Sequence, residues 1–344
     1  NDHSQAGYYN FVEKTYTMDP SRSDIFRYDE KNIAGYLSGQ KDLSKKWAAK
    51  AGLRYEYTLL DGYSPTTGER NEQQYGKLFP SAYLTYKPNS GSTFSLAYSK
   101  RINRPNFHRL NPFRLYTNPY TYYTGNPLLQ PSYNDNIELS YLNKGAWSVS
   151  FYGQKTSNGY GTIIQLNGAV KSTESENYLT QYKTGLEVLW SRRLFHWWET
   201  REVTSFSYSA SNSSTPEVVA QNGYSLYYSI YNTFVISGAL SLFANFRHYL
   251  PSTNGNVYAY AHYGLSTGLK LALAKNKVQI NLSGDDLFRT STDKDRIYFS
   301  SFTQYGSTYY DIRRVTLNVN YVFGNSRVKG SRKQVNFGET QRAN

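Results

Sequence analysis

Large apolar residues recur at every second position through stretch after stretch of this chain, and that period is the signature of a half-buried β-strand. In Thr93-Phe94-Ser95-Leu96-Ala97-Tyr98-Ser99 the large side chains fall on even numbers and the small ones on odd. The same beat sets Leu53, Tyr55, Tyr57 and Leu59 against Arg54, Glu56 and Thr58, and Ile137, Leu139 and Tyr141 against Glu138 and Ser140. It returns in Trp147, Val149 and Phe151, in Leu240, Leu242, Ala244 and Phe246, and most cleanly in Val315, Leu317, Val319, Tyr321 and Phe323 against Thr316, Asn318 and Asn320. One face of each strand is apolar and the other polar.

Composition narrows the choice. With 36 Tyr, 17 Phe and 5 Trp, aromatics are 17% of 344 residues, which excludes a disordered chain. The absence of cysteine removes disulfide scaffolds, thiolate zinc sites and cysteine nucleophiles. A membrane helix needs about 18 consecutive apolar residues. The best run, Thr233 to Phe246, is interrupted by Ser237, Gly238, Ser241 and Asn245. No signal-peptide pattern follows Asn1, so the chain reads as mature, truncated or part of something longer.

A soluble antiparallel sandwich and a transmembrane barrel both give this alternation. Loop lengths favour the barrel: tight turns at Lys87-Pro88-Asn89-Ser90-Gly91, Asn143-Lys144-Gly145 and Ala274-Lys275-Asn276-Lys277 alternate with long connections, the longest from Asn103 to Ser132. Strand-like segments such as 176–191 and 221–235 exceed the roughly 5 to 6 residues usual in soluble sheets. With the tight turns in the periplasm, Trp47, Trp147, Trp190, Trp197 and Trp198 all lie near that side, as an interfacial girdle would. Ordinary core tryptophan is the alternative.

The expected spans are 28–42, 46–60, 75–88, 91–102, 133–142, 146–167, 176–191, 199–209, 221–235, 239–250, 257–274, 277–289 and 305–323, preceded by an extracellular remnant at 1–27 and followed by a periplasmic tail at 324–344. Leu317, Val319, Tyr321, Phe94 and Leu96 are expected to face lipid and Asn318, Asn320 and Ser95 the lumen, together with Arg54, Glu56, Glu138, Glu187 and Lys270. About 13 strands are odd in number, whereas bacterial single-chain barrels have an even count and leave no edge. Further strands are therefore expected to close this sheet.

The motifs carry a resemblance. Ile25-Phe26-Arg27-Tyr28-Asp29-Glu30, Gly52-Leu53-Arg54-Tyr55-Glu56, Leu78-Phe79-Pro80-Ser81, Tyr98 to Pro105, Leu110-Asn111-Pro112-Phe113, Gly125 to Pro131, Gly185-Leu186-Glu187, Asp286-Leu287-Phe288 and Tyr321-Val322-Phe323-Gly324 follow one another in order. Over nearly its whole length the chain resembles the outer-membrane beta-barrel family of TonB-dependent receptors. The resemblance implies the C-terminal part of a 22-stranded barrel in the bacterial outer membrane, with a plug and TonB-coupling segment that this sequence does not contain.

Catalytic readings are weak. Ser38-Gly39-Gln40-Lys41, Ser132-Tyr133-Asn134 and Lys183-Thr184-Gly185 follow the order of penicillin-binding motifs, but the first must sit on a helix and here lies on a strand. The histidines, His3, His108, His196, His248 and His262, show no metal-ligand spacing. No phosphate-binding loop or nucleophile elbow occurs, so neither an enzyme nor a cofactor or metal is expected. The net charge of +13 invites nucleic acid. The cations are scattered, however, and those of the tail, Arg327, Lys329, Arg332, Lys333 and Arg342 beside Glu339, suit a solvated end.

The Asn103–Ser132 loop is the candidate site. Tyr116, Tyr120, Tyr122, Tyr123, Asn106 and Asn126 are amphipathic groups suited to a chelate, glycan or peptide. The alternative reading is structural, with Arg104, Pro105, Asn111, Pro112, Gly125, Asn126 and Pro127 folding the loop onto the wall. The leading expectation is a TonB-dependent importer of a nutrient, in contact with outer-membrane lipids and an energy coupler. A structural barrel holding a surface lipoprotein, a passive porin and a soluble carbohydrate-binding sandwich follow in that order.

Overall fold

Alternation in the sequence becomes one antiparallel sheet in the computed structural model, which describes residues 2–6, 9–12, 15–18, 23–65, 68, 70–144 and 146–323. Its wall runs β1 (Asp24–Asp42), β2 (Trp47–Tyr63), β3 (Arg70–Asn89), β4 (Ser92–Asn103) and β5 (Ser132–Asn143). It continues through β6 (Trp147–Asn167), β7 (Val170–Phe195), β8 (Trp198–Ser213), β9 (Gly223–Val235) and β10 (Leu240–Tyr249). The last wall strands are β11 (His262–Leu273), β12 (Val278–Asp285) and β13 (Arg314–Tyr321). Each pairs with its neighbour in sequence, and the short strand Asp2–Ala6 adds to the free side of β1. Among the described residues β13 pairs with β12 and not with β1.

Each of the thirteen expected spans coincides with a wall strand, but two of them divide and others shift their ends, 277–289 closing at Asp285 and 176–191 widening to Val170–Phe195. The segment 257–274 divides, because Val257–Ala259 leaves the wall and β11 begins at His262. Likewise 305–323 divides into Thr303–Thr308 and β13. The departing pieces join Ser252–Asn254 and Asp293–Tyr298 in a separate four-stranded sheet above the wall. Strands in that sheet alternate as well, so period alone does not separate them from the wall. The tail at 324–344 lies outside the described residues.

Register puts the apolar residues in rows. Leu84, Leu96, Leu139, Phe151, Leu186, Phe206 and Leu226 stand opposite one another across seven successive strands. Phe234, Leu242, Leu269, Leu282 and Leu317 form a second row from β9 to β13. One residue along, the partners are Ser95, Ser140, Ser150, Glu187 and Ser205, so the opposite face is polar. Leu139 is 53% exposed and Phe151 57%. A continuous apolar surface of this extent is an aggregation liability in water and a stable surface in hydrocarbon.

Buried apolar side chains collect elsewhere. Ile163, Ile164 and Tyr178, on the upper halves of β6 and β7, pack with Val218 and Phe299 from two long loops. That cluster lies at the long-loop end, where water is the solvent and burial is rewarded. Glycines on the sheet make room for tyrosines: a Cβ at Gly161 would collide with the Tyr178 ring, and one at Gly185 with Tyr152 directly opposite.

The two faces make opposite predictions. Leu96→Arg on the apolar face should destabilise the assembled barrel by about 2 to 4 kcal/mol, and Ser95→Arg on the polar face far less. Heat-modifiable migration and denaturant midpoints of the two variants in lipid check this; equal assembly would overturn the assignment of faces.

Candidate functional site

The 104–131 loop begins where β4 ends, and its first residue fixes it to the wall. Arg104 Nη2 lies 2.5 Å from Glu56 Oε2 and donates to Thr58 Oγ1 at 3.2 Å, while its Nε is 3.7 Å from Glu30 Oε1. Glu56 also pairs with Arg54 at 2.8 Å on the same strand. Glu56 and Thr58 are buried beneath the loop. These polar groups point inward because the alternate positions, Tyr55 and Tyr57, belong to the apolar face.

The next turn, Phe107–Leu110, is a four-residue helix capped by Asn106, whose Oδ1 accepts from Arg109 N at 3.2 Å. Phe107 packs against Phe26 at 5.8 Å and Tyr28 at 6.2 Å, and Leu110 is buried. The two distant motif segments then lie side by side. Gly125 N donates to Asn111 O at 2.8 Å and Asn126 N to Arg109 O at 2.7 Å. Glycine is required here by proximity: a Cβ on residue 125 would stand 2.5 Å from Asn111 O and 2.8 Å from Arg109 O. Pro127 O accepts from Asn71 Nδ2 and Gln73 Nε2 on β3, at 2.5 and 2.9 Å. Asn126 Nδ2 donates to Ser175 O and Arg109 Nη1 to Ser175 Oγ, both on β7. Pro105 and Leu129 are buried in the same assembly.

Arg104, Pro105, Asn111, Pro112, Gly125, Asn126 and Pro127 are thus brought together as a staple between β1–β3 and β7. The amides of Asn106 and Asn126 are committed to the backbone within it. The tyrosines are held apart from the staple, on a hairpin of Leu115–Asn118 and Thr121–Tyr123 that pairs in parallel with Lys171–Thr173 of β7. Asn118 Oδ1 accepts from Tyr120 N and closes its turn. Tyr120 is 61% exposed and Tyr123 is also exposed, while Tyr116 and Tyr122 face each other at 5.3 Å with Arg114 over the Tyr122 ring at 5.0 Å.

The lumen face of β8–β11 holds residues that motif reasoning passed over. Arg201, Tyr231, Phe243 and Lys270 line a hollow of about 460 Å³. Arg247, Tyr249 and His262 line an adjoining one of about 500 Å³, with Asp293 and Tyr310 above. Tyr249 stacks on His262 at 4.6 Å and meets the tilted ring of Tyr227 at 4.5 Å, and His262 Nε2 is 3.4 Å from Asp293. Each strand supplies one or two of these side chains, so no local motif announces them; their shared inward parity is the signal that was available.

Beyond β12, Asp286 is buried at a backbone with φ of 45° and is enclosed by donors. Thr290 N, Ser291 N and Tyr309 OH reach its carboxylate at 2.9, 3.2 and 3.0 Å. Burial opposes its ionisation, and these hydrogen bonds outweigh that effect and hold its pKa below the usual aspartate range. The five tryptophans sit at the opposite, short-turn rim. Trp47 stacks on Tyr86 at 4.4 Å, Trp147 faces Trp190 at 5.8 Å, and Trp197 and Trp198 stack with Phe195. Among the described residues no group of three or more histidine and carboxylate side chains is placed to hold a metal.

A family model described as "Outer membrane protein beta-barrel family" matches residues 1–321. No curated protein matches in sequence. Among solved structures, the FrpB iron transporter from Neisseria meningitidis, F3-3 variant, superposes with a TM-score of 0.58 at 16% identity, over 87% of this chain and 46% of that one. The copper transporter OprC superposes with a TM-score of 0.63 at 14% identity, over 86% of this chain and 47% of that one. The ferric yersiniabactin uptake receptor FyuA from Yersinia pestis gives 0.53 at 14% identity, over 89% and 46%. This chain therefore spans just under half the length of each of these proteins.

The staple and the carboxylate cage each carry a prediction. Arg104→Ala leaves the buried Glu56 carboxylate with the half-exposed Arg54 as its remaining cation and should cost on the order of 2 kcal/mol, read as a lower denaturant midpoint, with Arg104→Lys intermediate. Because the pKa of Asp286 is depressed in the fold, its contribution is complete above the ordinary aspartate value of about 3.9 and is lost as pH falls through the lower folded value. Protection of the Thr290 and Ser291 amides, taken as intrinsic over observed exchange rate, should fall below about pH 4 in the wild type, and Asp286→Asn should abolish that pH dependence of the protection.

Proposed function

Since this chain belongs to the outer membrane protein beta-barrel family and hence to the bacterial outer membrane, we propose that it is the C-terminal part of a receptor barrel that imports a small nutrient, energised through TonB. The observation that carries this reading is the staple. It fixes the 104–131 loop rigidly over one end of the sheet, so that the Tyr116–Tyr123 hairpin is presented without a large ordering cost. Tyrosine offers a flat apolar face with a hydroxyl handle, suited to a partly wet ligand interface. Beneath, Arg201, Arg247, Lys270, Tyr231 and Tyr249 give the lumen face a cationic and aromatic lining that suits an anionic or polyhydroxylated cargo. A metal chelate, a glycan and a peptide all fall within that description, and the iron, copper and ferric yersiniabactin named for the similar structures support the first.

In this reading the short-turn rim is periplasmic, and Trp47, Trp147, Trp190, Trp197 and Trp198 form the interfacial girdle. The energy coupler engages an N-terminal portion carrying a plug. A second reading, a barrel that seats a surface lipoprotein, draws on Leu115, Tyr123 and Tyr305, which are exposed at the long-loop end.

Deleting residues 116–124 removes the hairpin and keeps both halves of the staple. The expected result is a heat-modifiable barrel in the outer membrane with substrate binding and uptake lost. Unchanged uptake would remove the hairpin from the site, and retained uptake with loss of a co-purifying lipoprotein would favour the second reading.

A further inference from the structure

The outer face of β8 breaks the apolar band in the middle of the wall. Its outward side chains, in the parity that Phe206 sets, are Trp198, Thr200, Glu202, Thr204, Phe206 and Tyr208. Trp198 stands at the short-turn rim, and Tyr208 is one spanning length above it, about 9 to 11 residues for a tilted strand. The rings at the two ends therefore mark the two interfaces, and the three polar residues lie between them. Glu202 is opposite Trp190 on β7 and Ile230 on β9, in a row that continues through Phe246 and Leu265. Thr204 is likewise flanked by Val188 and Tyr228. β8 is hydrogen-bonded along both its edges, so the patch belongs to the wall whatever completes its ends.

Polar groups around this patch are satisfied within the chain, and two charges are not. Asn232 Oδ1 accepts from Trp198 Nε1 at 2.9 Å and its Nδ2 donates to Ala244 O at 3.4 Å, while Thr267 Oγ1 donates to Phe243 O at 2.9 Å. Thr200 is buried among its neighbours. Arg192 on β7 shares the lipid-facing parity and stands opposite Thr200, two residues along the strand from the row of Glu202. Among the described residues neither the Arg192 guanidinium nor the Glu202 carboxylate forms an ion pair, whereas the adjoining Arg193 and Glu199 are joined on the opposite face. A carboxylate that faces hydrocarbon alone is costly, and such a group in a spanning segment points to a partner.

We propose that the outer face of β7–β10 is the interface with a second copy of this chain in the membrane, Arg192 of each copy pairing with Glu202 of the other. A two-fold axis along the membrane normal keeps every residue at its own depth and presents the same patch to itself. The two charges are offset along the strands by two residues, about 7 Å, a step that the arginine stem covers while lying against apolar surface. One contact, made twice, then compensates all four charges. Lipid brings no cation to the depth of Glu202. A different membrane protein would have to present a cation and an anion in the reversed order, which a second copy supplies by symmetry. Small side chains at Thr200, Thr204 and Ala244 let the two walls approach, whereas the leucine rows elsewhere gain nothing by exchanging lipid for one another. The inference needs the outer-membrane placement of the chain and not the transport reading, so a failed uptake assay leaves it standing.

The test is cross-linking of the full-length protein in intact outer membranes. With a bismaleimide, Thr204→Cys should give a species of twice the protein's mass, and Leu139→Cys, on the same face of β5, should not. Glu202→Leu and Arg192→Gln, each introduced beside Thr204→Cys, should weaken association about tenfold, read as cross-linking yield and as the dimer fraction in native mass spectrometry of detergent extracts. Both variants keep the barrel: removing a charge from the lipid-facing side should leave heat-modifiable migration intact and the denaturant midpoint unchanged or raised, so a lost dimer is not a lost fold. No doubled species from Thr204→Cys, equal yields at positions 204 and 139, a dimer untouched by either charge variant, or a cross-link to a different protein would each overturn the proposal.

Discussion

A backbone amide in hydrocarbon has no water to bond with, and each unsatisfied group costs several kcal/mol. Every feature of this chain answers that constraint. Strand ladders satisfy the polar backbone, and they do so only if each strand stays in register with both neighbours. Register in turn aligns Leu96 with Leu139, Leu139 with Phe151 and Phe151 with Leu186, so that one demand made by the backbone arranges side chains into an apolar surface. In the band itself there is nothing to gain from burying a leucine among leucines, since lipid is an equivalent neighbour. The buried cluster of Ile163, Ile164, Tyr178, Val218 and Phe299 accordingly lies where the chain emerges into water.

The parity of the strands was legible because it is local: two residues suffice to place Leu96 outward and Ser95 inward. Strand limits at 262 and 314 were not, because Val257–Ala259 and Thr303–Thr308 alternate as wall strands do while belonging to a sheet above the wall. The site divides in the same way. Arg104-Pro105, Asn111-Pro112 and Gly125-Asn126-Pro127 stand out as motifs, yet the partner that explains Arg104 is Glu56, 48 positions earlier, and only the fold brings the two to 2.5 Å. Arg201, Arg247 and Lys270 were illegible as a group, since each looks like an isolated cation on its own strand and they gather only when the strands are aligned.

Away from Glu202, charge placement follows the solvent as strictly as apolar placement does. On the lumen side Arg54, Glu56 and Arg104 are tolerated because they compensate one another, and the Arg314–Asp285 pair does the same at the far end of the wall. At the short-turn rim the lysines are exposed and largely of one sign. A bilayer surface can supply the countercharge there that the protein omits.

The staple draws its partners from strands far apart in the chain: Glu30 on β1, Glu56 and Thr58 on β2, Asn71 and Gln73 on β3, and Ser175 on β7. It therefore has a place in time as well as in space. If strands enter the membrane in sequence order, the loop after β4 waits, unseated, until β7 has crossed and delivered Ser175. From that moment seven strands are tied across one end rather than only along their edges, and any departure of β1 must break contacts with a loop anchored on a strand inserted six steps later. A polar loop that looks from above like a receptor surface is thus also the latch by which a half-built wall becomes difficult to unzip.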